Sequence, residues 1–234
     1  MPALTAQQRL EKMEAVHEIQ NLVGRYEFWH VANLHTRCLG LYALKTPGVR
    51  IEMDWGVFEG REGVERFFLG YHGGHDAERP GSQLAGDMHL HTQTTPVIEV
   101  ADDLRTAKGV WISPGNETIP LGPGGSMKAF WIWLKYGFDF TREDGQWKIW
   151  HQHVYSVFMC PYETSWVDME PLPPRRELPP GRAPDRYLPQ PSPWQYAKRQ
   201  AAPEHPGPAG ALPDVRRRRR VLTMLTAPAP KEET

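Results

Sequence analysis

The sequence predicts an α+β domain in which helices pack on one face of a curved antiparallel sheet, with an extended tail behind. Three observations carry this. Helical periodicity is confined to the first third of the chain, strand-like apolar alternation dominates residues 89–158, and fifteen of the 23 prolines fall after Tyr162.

Thr5-Ala6-Gln7-Gln8 has the form of a capping box, and Leu10, Met13, Val16, Ile19, Leu22, Val23 and Tyr26 recur behind it at three- and four-residue spacing. His30 continues that face. A second helix is expected from about Leu34 to Leu44, ending near Pro47-Gly48. Residues 49–55 alternate as a half-buried strand, and residues 57–68 are expected to form a strand end, a turn and a short helix. Residues 71–86 carry the glycines and proline of a loop, with His72-Gly73-Gly74-His75 as a candidate lid hinge. Strands are then expected near 89–100, 105–113, 126–141 and 147–158, separated by turns at 101–103, 114–125 and 143–145. The division expected is a domain over 1–161 and a proline-rich extended tail over 162–234, since clustered prolines suit neither a helix nor a central strand.

The formal net charge of −1 advertises no nucleic-acid partner, and the Arg216–Arg220 run is taken as a solvated charge run in the tail. Two cysteines make no disulfide framework and suit a reducing compartment. Neither a signal peptide nor an 18-residue apolar run is visible, so a cytoplasmic protein with no membrane partner is expected.

Chemistry concentrates in ten histidines and nine tryptophans. Two histidine pairs, His89-Leu90-His91 and His151-Gln152-His153, lie in strands, where residues two apart share a face. Strand parity groups His151 and His153 with Trp147, Ile149 and Tyr155, which aims both imidazoles inward. Tyr136 shares parity with Lys128, Phe130, Ile132, Leu134 and Phe138. Metal is not expected, because no carboxylate sits beside either histidine pair in a facial-triad arrangement.

The helix ending in Arg25-Tyr26, the segment Gly56-Val57-Phe58-Glu59-Gly60-Arg61-Glu62-Gly63-Val64, the strands Thr95–Val100 and Thr106–Trp111, and the hairpin Phe138–Ile149 together resemble the SnoaL-like branch of the NTF2-like superfamily over about residues 8–160. The resemblance implies a cone-shaped barrel with a deep apolar pocket and commonly a homodimer or homotrimer. It also implies activities such as dehydration, isomerisation, polyketide cyclisation and cofactor-free diarylpropane cleavage with loss of formaldehyde. By resemblance to scytalone dehydratase, His91 stands where that enzyme has a histidine. His30 and Met53 fall at its two tyrosines, Trp111 at its other histidine, and Tyr136 at its asparagine. Val31 stands where many relatives carry a helix aspartate.

The expected site therefore comprises His91, His30, His153 and Tyr136 as catalytic groups. Tyr26, Met53, Trp55, Trp111, Lys128, Phe130 and His151 are expected to bind substrate. The expected function is a lyase without cofactor, acting on a phenolic small molecule through a quinone methide. Loss of formaldehyde is favoured over simple dehydration because the pocket looks short of carboxylates. The alternatives are a dehydratase, cyclase or ketosteroid-type isomerase, or a non-catalytic ligand-binding or assembly module.

Overall fold

A computed structural model describes residues 4–72, 78, 86–120, 126–169, 177–190 and 195–196. Helix α1 spans Ala6–Val31; the Thr5 side chain accepts from the Gln8 backbone while Gln8 reaches back to the Thr5 N–H, closing the capping box. The helix buries Ala15, Ile19, Leu22, Val23, Tyr26 and His30. Helix α2 covers only His35–Leu39, shorter than expected. The next residues turn so that Tyr42 bridges to Ile149, and the sheet takes the backbone that a longer helix would have used.

Strands β1 (Arg50–Met53) and β2 (Gly56–Glu59) form a hairpin, followed by α3 (Gly60–Glu65) and a π-helical turn over Arg66–Tyr71. The remaining strands are β3 (Met88–His91), β4 (Thr94–Val100), β5 (Thr106–Pro120), β6 (Met127–Glu143), β7 (Gln146–Pro161) and β8 (Arg186–Tyr187). Their order is β3-β5-β6-β7-β1-β2-β8, with β4 also on β5; β1 runs parallel to β7 and the other pairs are antiparallel. Helix α1 lies against β3, β4 and β7, which makes this an NTF2-like cone of helices on one bent sheet.

Two strand expectations change for one reason. The expected strand 89–100 breaks into β3 and β4, and β5 runs through Pro114 to Pro120 instead of turning there. Proline has no N–H to give. Pro114 sits opposite the gap between the two short strands, since His91 pairs with Gly115 and Thr94 with Ile112. Its carbonyl is taken by the Thr92 hydroxyl at 2.6 Å.

Two β-bulges matter more for function. Against β6, Trp150 and Val157 are extra residues in β7, because Asp139 pairs with His151 but Phe140 with Ile149, and Trp133 pairs with Phe158 but Leu134 with Ser156. Each extra residue reverses which side chains face the concave side. Trp147 and Ile149 point into the core, then Gln152, Val154 and Ser156 do.

Residues 177–190, in the proline-rich segment, are part of the fold. Arg186 and Tyr187 add an edge strand to β2, Asp185 accepts from the Glu59 N–H at 2.7 Å and pairs with Arg66 at 2.5 Å, and Leu188 donates to the Trp55 carbonyl. The Tyr196 N–H takes the carbonyl of the bulged Val157 at 2.7 Å. The loop glycines 73–74 with His75, and the Arg216–Arg220 run, lie outside the described residues.

Candidate active site

A cavity of about 320 Å³ opens between α1, the concave face of the sheet and the docked C-terminal segment. Of the residues predicted for a site, His91, His30, Tyr136, Tyr26, Met53 and Trp55 line it. Trp111 does not: it packs edge-on against Phe138 and Phe140 in the core, 5.4 and 6.2 Å between ring centres. Phe130 is also core, and Lys128 lies outside the cavity wall.

His151 and His153 correct the parity argument. The extra residue Trp150, whose indole N–H is held by the Pro47 carbonyl, turns both imidazoles to the convex side. There His151 spends both ring nitrogens, Nδ1 on Asp139 at 2.9 Å and Nε2 on the Gly48 carbonyl at 3.0 Å. His153 stacks on Tyr155 at 3.7 Å, and burial with the nearby Arg50 pushes its pKa down to about 3. The residue between them, Gln152, is the one that enters the cavity.

Gln152 organises one wall. The Tyr42 hydroxyl donates to Gln152 Oε1, which fixes the amide so that Nε2 donates to the Tyr26 hydroxyl at 3.1 Å. The oxygen of Tyr26 is therefore an acceptor on that side, leaving its own proton to be given to a bound molecule. Tyr26 and Tyr136 also hydrogen-bond, and burial raises both phenols well above the usual range. Both stay protonated donors at neutral pH.

Adjoining this wall is a histidine cluster. His30 stacks on Tyr26 at 5.6 Å and on His91 at 5.7 Å, and meets His35 and His72 at 5.2 Å. Burial, then its histidine neighbours, holds its pKa well below the ordinary value, so it is a neutral imidazole whose Nδ1 has no hydrogen-bond partner among the described residues.

Carboxylates surround this cluster, contrary to expectation. The β3–β5 pairing puts Glu117 directly across from His89, and its carboxylate meets His91 Nε2 at 2.9 Å and His89 Nδ1 at 3.8 Å. Asp87 meets His89 Nε2 at 3.0 Å. From α1, Glu27 accepts the His91 backbone N–H at 2.9 Å, and burial lifts its pKa to about 7. For Glu117 burial acts upward, but the hydrogen bonds and charges of His89 and His91 together carry it down. For His89 burial acts downward, yet Glu117 and Asp87 raise it. Asp54 also lines the cavity, because β1 ends at Met53 and strand parity does not extend into the turn.

A bent sheet packed on helices around a partly open cavity lined by polar and aromatic groups is the NTF2-like arrangement. The chain belongs to the SnoaL-like domain family, which it matches over residues 11–153. No curated protein matches it significantly in sequence. Among solved structures it is similar to LinA, at 15% identity and a TM-score of 0.51, covering 71% of this chain and 99% of that one. It is also similar to a hexachlorocyclohexane dehydrochlorinase from Novosphingobium barchaimii, at 17% identity and 0.49 over 71% and 99%. An NTF2-like protein from Novosphingobium aromaticivorans matches at 16% and 0.45, over 62% and 84%.

Proposed function

We propose that the protein is a lyase that eliminates a leaving group from a hydrophobic, phenolic small molecule. The observation that carries the reading is the cavity in which fixed phenol donors adjoin a cluster of imidazoles. Tyr26, fixed by Gln152, and Tyr136 would hold a substrate oxygen; Trp55, Met53 and Leu134 would enclose the ring. His30, neutral and with a spare nitrogen, serves as the base. The His91–Glu117 pair assists departure of the leaving hydroxyl.

In the first step His30 takes the phenol proton, the benzylic C–O bond breaks, and the leaving hydroxide receives a proton from the His30–His91 cluster, to which the phenol proton was passed, so that water departs. This gives a quinone methide. The second step restores the phenol by losing either a proton from the adjacent carbon or, from a hydroxymethyl group, formaldehyde with C–C cleavage. With carboxylates at the cluster, neither second step is favoured over the other, and both share the same quinone methide.

Incubation with phenolic diol dimers, followed by absorbance for a conjugated product and a formaldehyde assay, tests it. The expected result is turnover by the wild type and a loss of at least 100-fold in kcat for His30→Ala and His91→Ala. Wild-type rates in both variants overturn the assignment. Tight binding of such dimers without turnover would leave a ligand-binding module.

A further inference from the structure

The geometry points to a binding site for a divalent first-row transition metal ion formed by His89, His91 and Glu117. One ligand atom from each residue lies within 4.8 Å of the others. Ligand atoms about 2.1 Å from a zinc-like ion sit roughly 3.0–3.4 Å apart. The separations from Glu117 Oε1 are 2.9 Å to His91 Nε2 and 3.8 Å to His89 Nδ1, and no pair of the three ligand atoms exceeds 4.8 Å, so an ion would draw the side chains closer together.

Three further features suit an ion better than a chance cluster. Two imidazoles and one carboxylate on adjacent strands make a three-ligand face, and all three residues line the cavity, which leaves room for water or a substrate oxygen opposite. Asp87 stands behind His89 on the ring nitrogen away from Glu117, the carboxylate that orients a ligating imidazole and raises its basicity. Gly115 makes the approach feasible: a Cβ there would stand 2.2 Å from the Leu90 carbonyl and 3.2 Å from His91 Nδ1.

This goes beyond the lyase reading. It keeps the role given there to His91 and Glu117, assisting a departing oxygen, but assigns it to a Lewis acid that they hold. The site itself does not depend on the reaction.

The test uses the full chain, stripped with chelator and titrated with zinc by calorimetry, with cobalt absorbance reporting coordination. The expected result is one equivalent bound, weakened at least 100-fold by His89→Ala and by the isosteric Glu117→Gln, about 10–100-fold by Asp87→Asn, and unchanged by His17→Ala on the surface of α1. Folded wild type that takes up no stoichiometric zinc overturns the site, whatever the variants do. So does uptake that His89→Ala and Glu117→Gln leave intact when circular dichroism shows them folded. Because no substrate is present, the outcome is independent of whether the lyase reading holds.

Discussion

Replacing His153 with phenylalanine should flatten the acid dependence of stability. The imidazole is buried on the convex face beside Arg50, and its folded pKa lies near 3 against about 6.5 for an exposed histidine. The Glu52 carboxylate is 3.6 Å from Nδ1, beyond hydrogen-bond length, and burial pushes that group toward protonation too, so it offers little relief. Below about pH 6.5 the unfolded chain binds a proton that the folded chain refuses. The contribution is therefore complete above neutrality and is lost as pH falls toward 3, by up to about 1.4 kcal/mol per unit. Between pH 7.5 and 5.0 this comes to roughly 2 kcal/mol. Phenylalanine keeps a ring to stack on Tyr155 and does not titrate. Urea unfolding followed by tryptophan fluorescence at several pH values gives the comparison. Carboxylates elsewhere titrate in both proteins and cancel in the difference. Wild type should lose about 2 kcal/mol more than His153→Phe over that interval; parallel curves would refute the argument that this histidine is held neutral.

Two further outcomes follow from packing. Gly70→Ala places a Cβ 2.0 Å from the Gly181 carbonyl, so the segment 177–190 should lift from the β2 edge, seen as faster limited proteolysis there with little change in the global unfolding midpoint. Gln152→Leu strands the Tyr42 and Tyr26 hydroxyls in a buried wall and should cost about 2–6 kcal/mol in chemical denaturation, from roughly 1–3 per orphaned group; a loss under about 0.5 kcal/mol would show the relay to be idle.

Local chemistry made much of this molecule legible before any coordinates. The capping box at Thr5 and the spacing from Leu10 to Tyr26 define α1, and the parity of Phe130 through Phe138 identifies the concave face of β6, because both patterns depend only on neighbours in sequence. The same rule applied to β7 fails at Trp150. A single extra residue inverts the alternation, and its signal is the fit of that strand against β6, which no window of β7 contains. Gln152, flanked by two more conspicuous histidines, was therefore passed over.

Composition, periodicity and motif order sufficed for the fold class, the helix face bearing Tyr26 and His30, and the strand placement of His91. Tertiary structure alone decided which histidines share a cavity and which carboxylates meet them. Glu117 is 26 residues beyond His91 in the chain, yet strand pairing brings them to hydrogen-bond distance. The docking of residues 177–190 is of the same kind, since β2 offers unpaired backbone groups to whichever extended segment can reach them. Periodicity records which way a side chain points within its own element; partnership between elements depends on register, and register is set by the packing of the whole sheet.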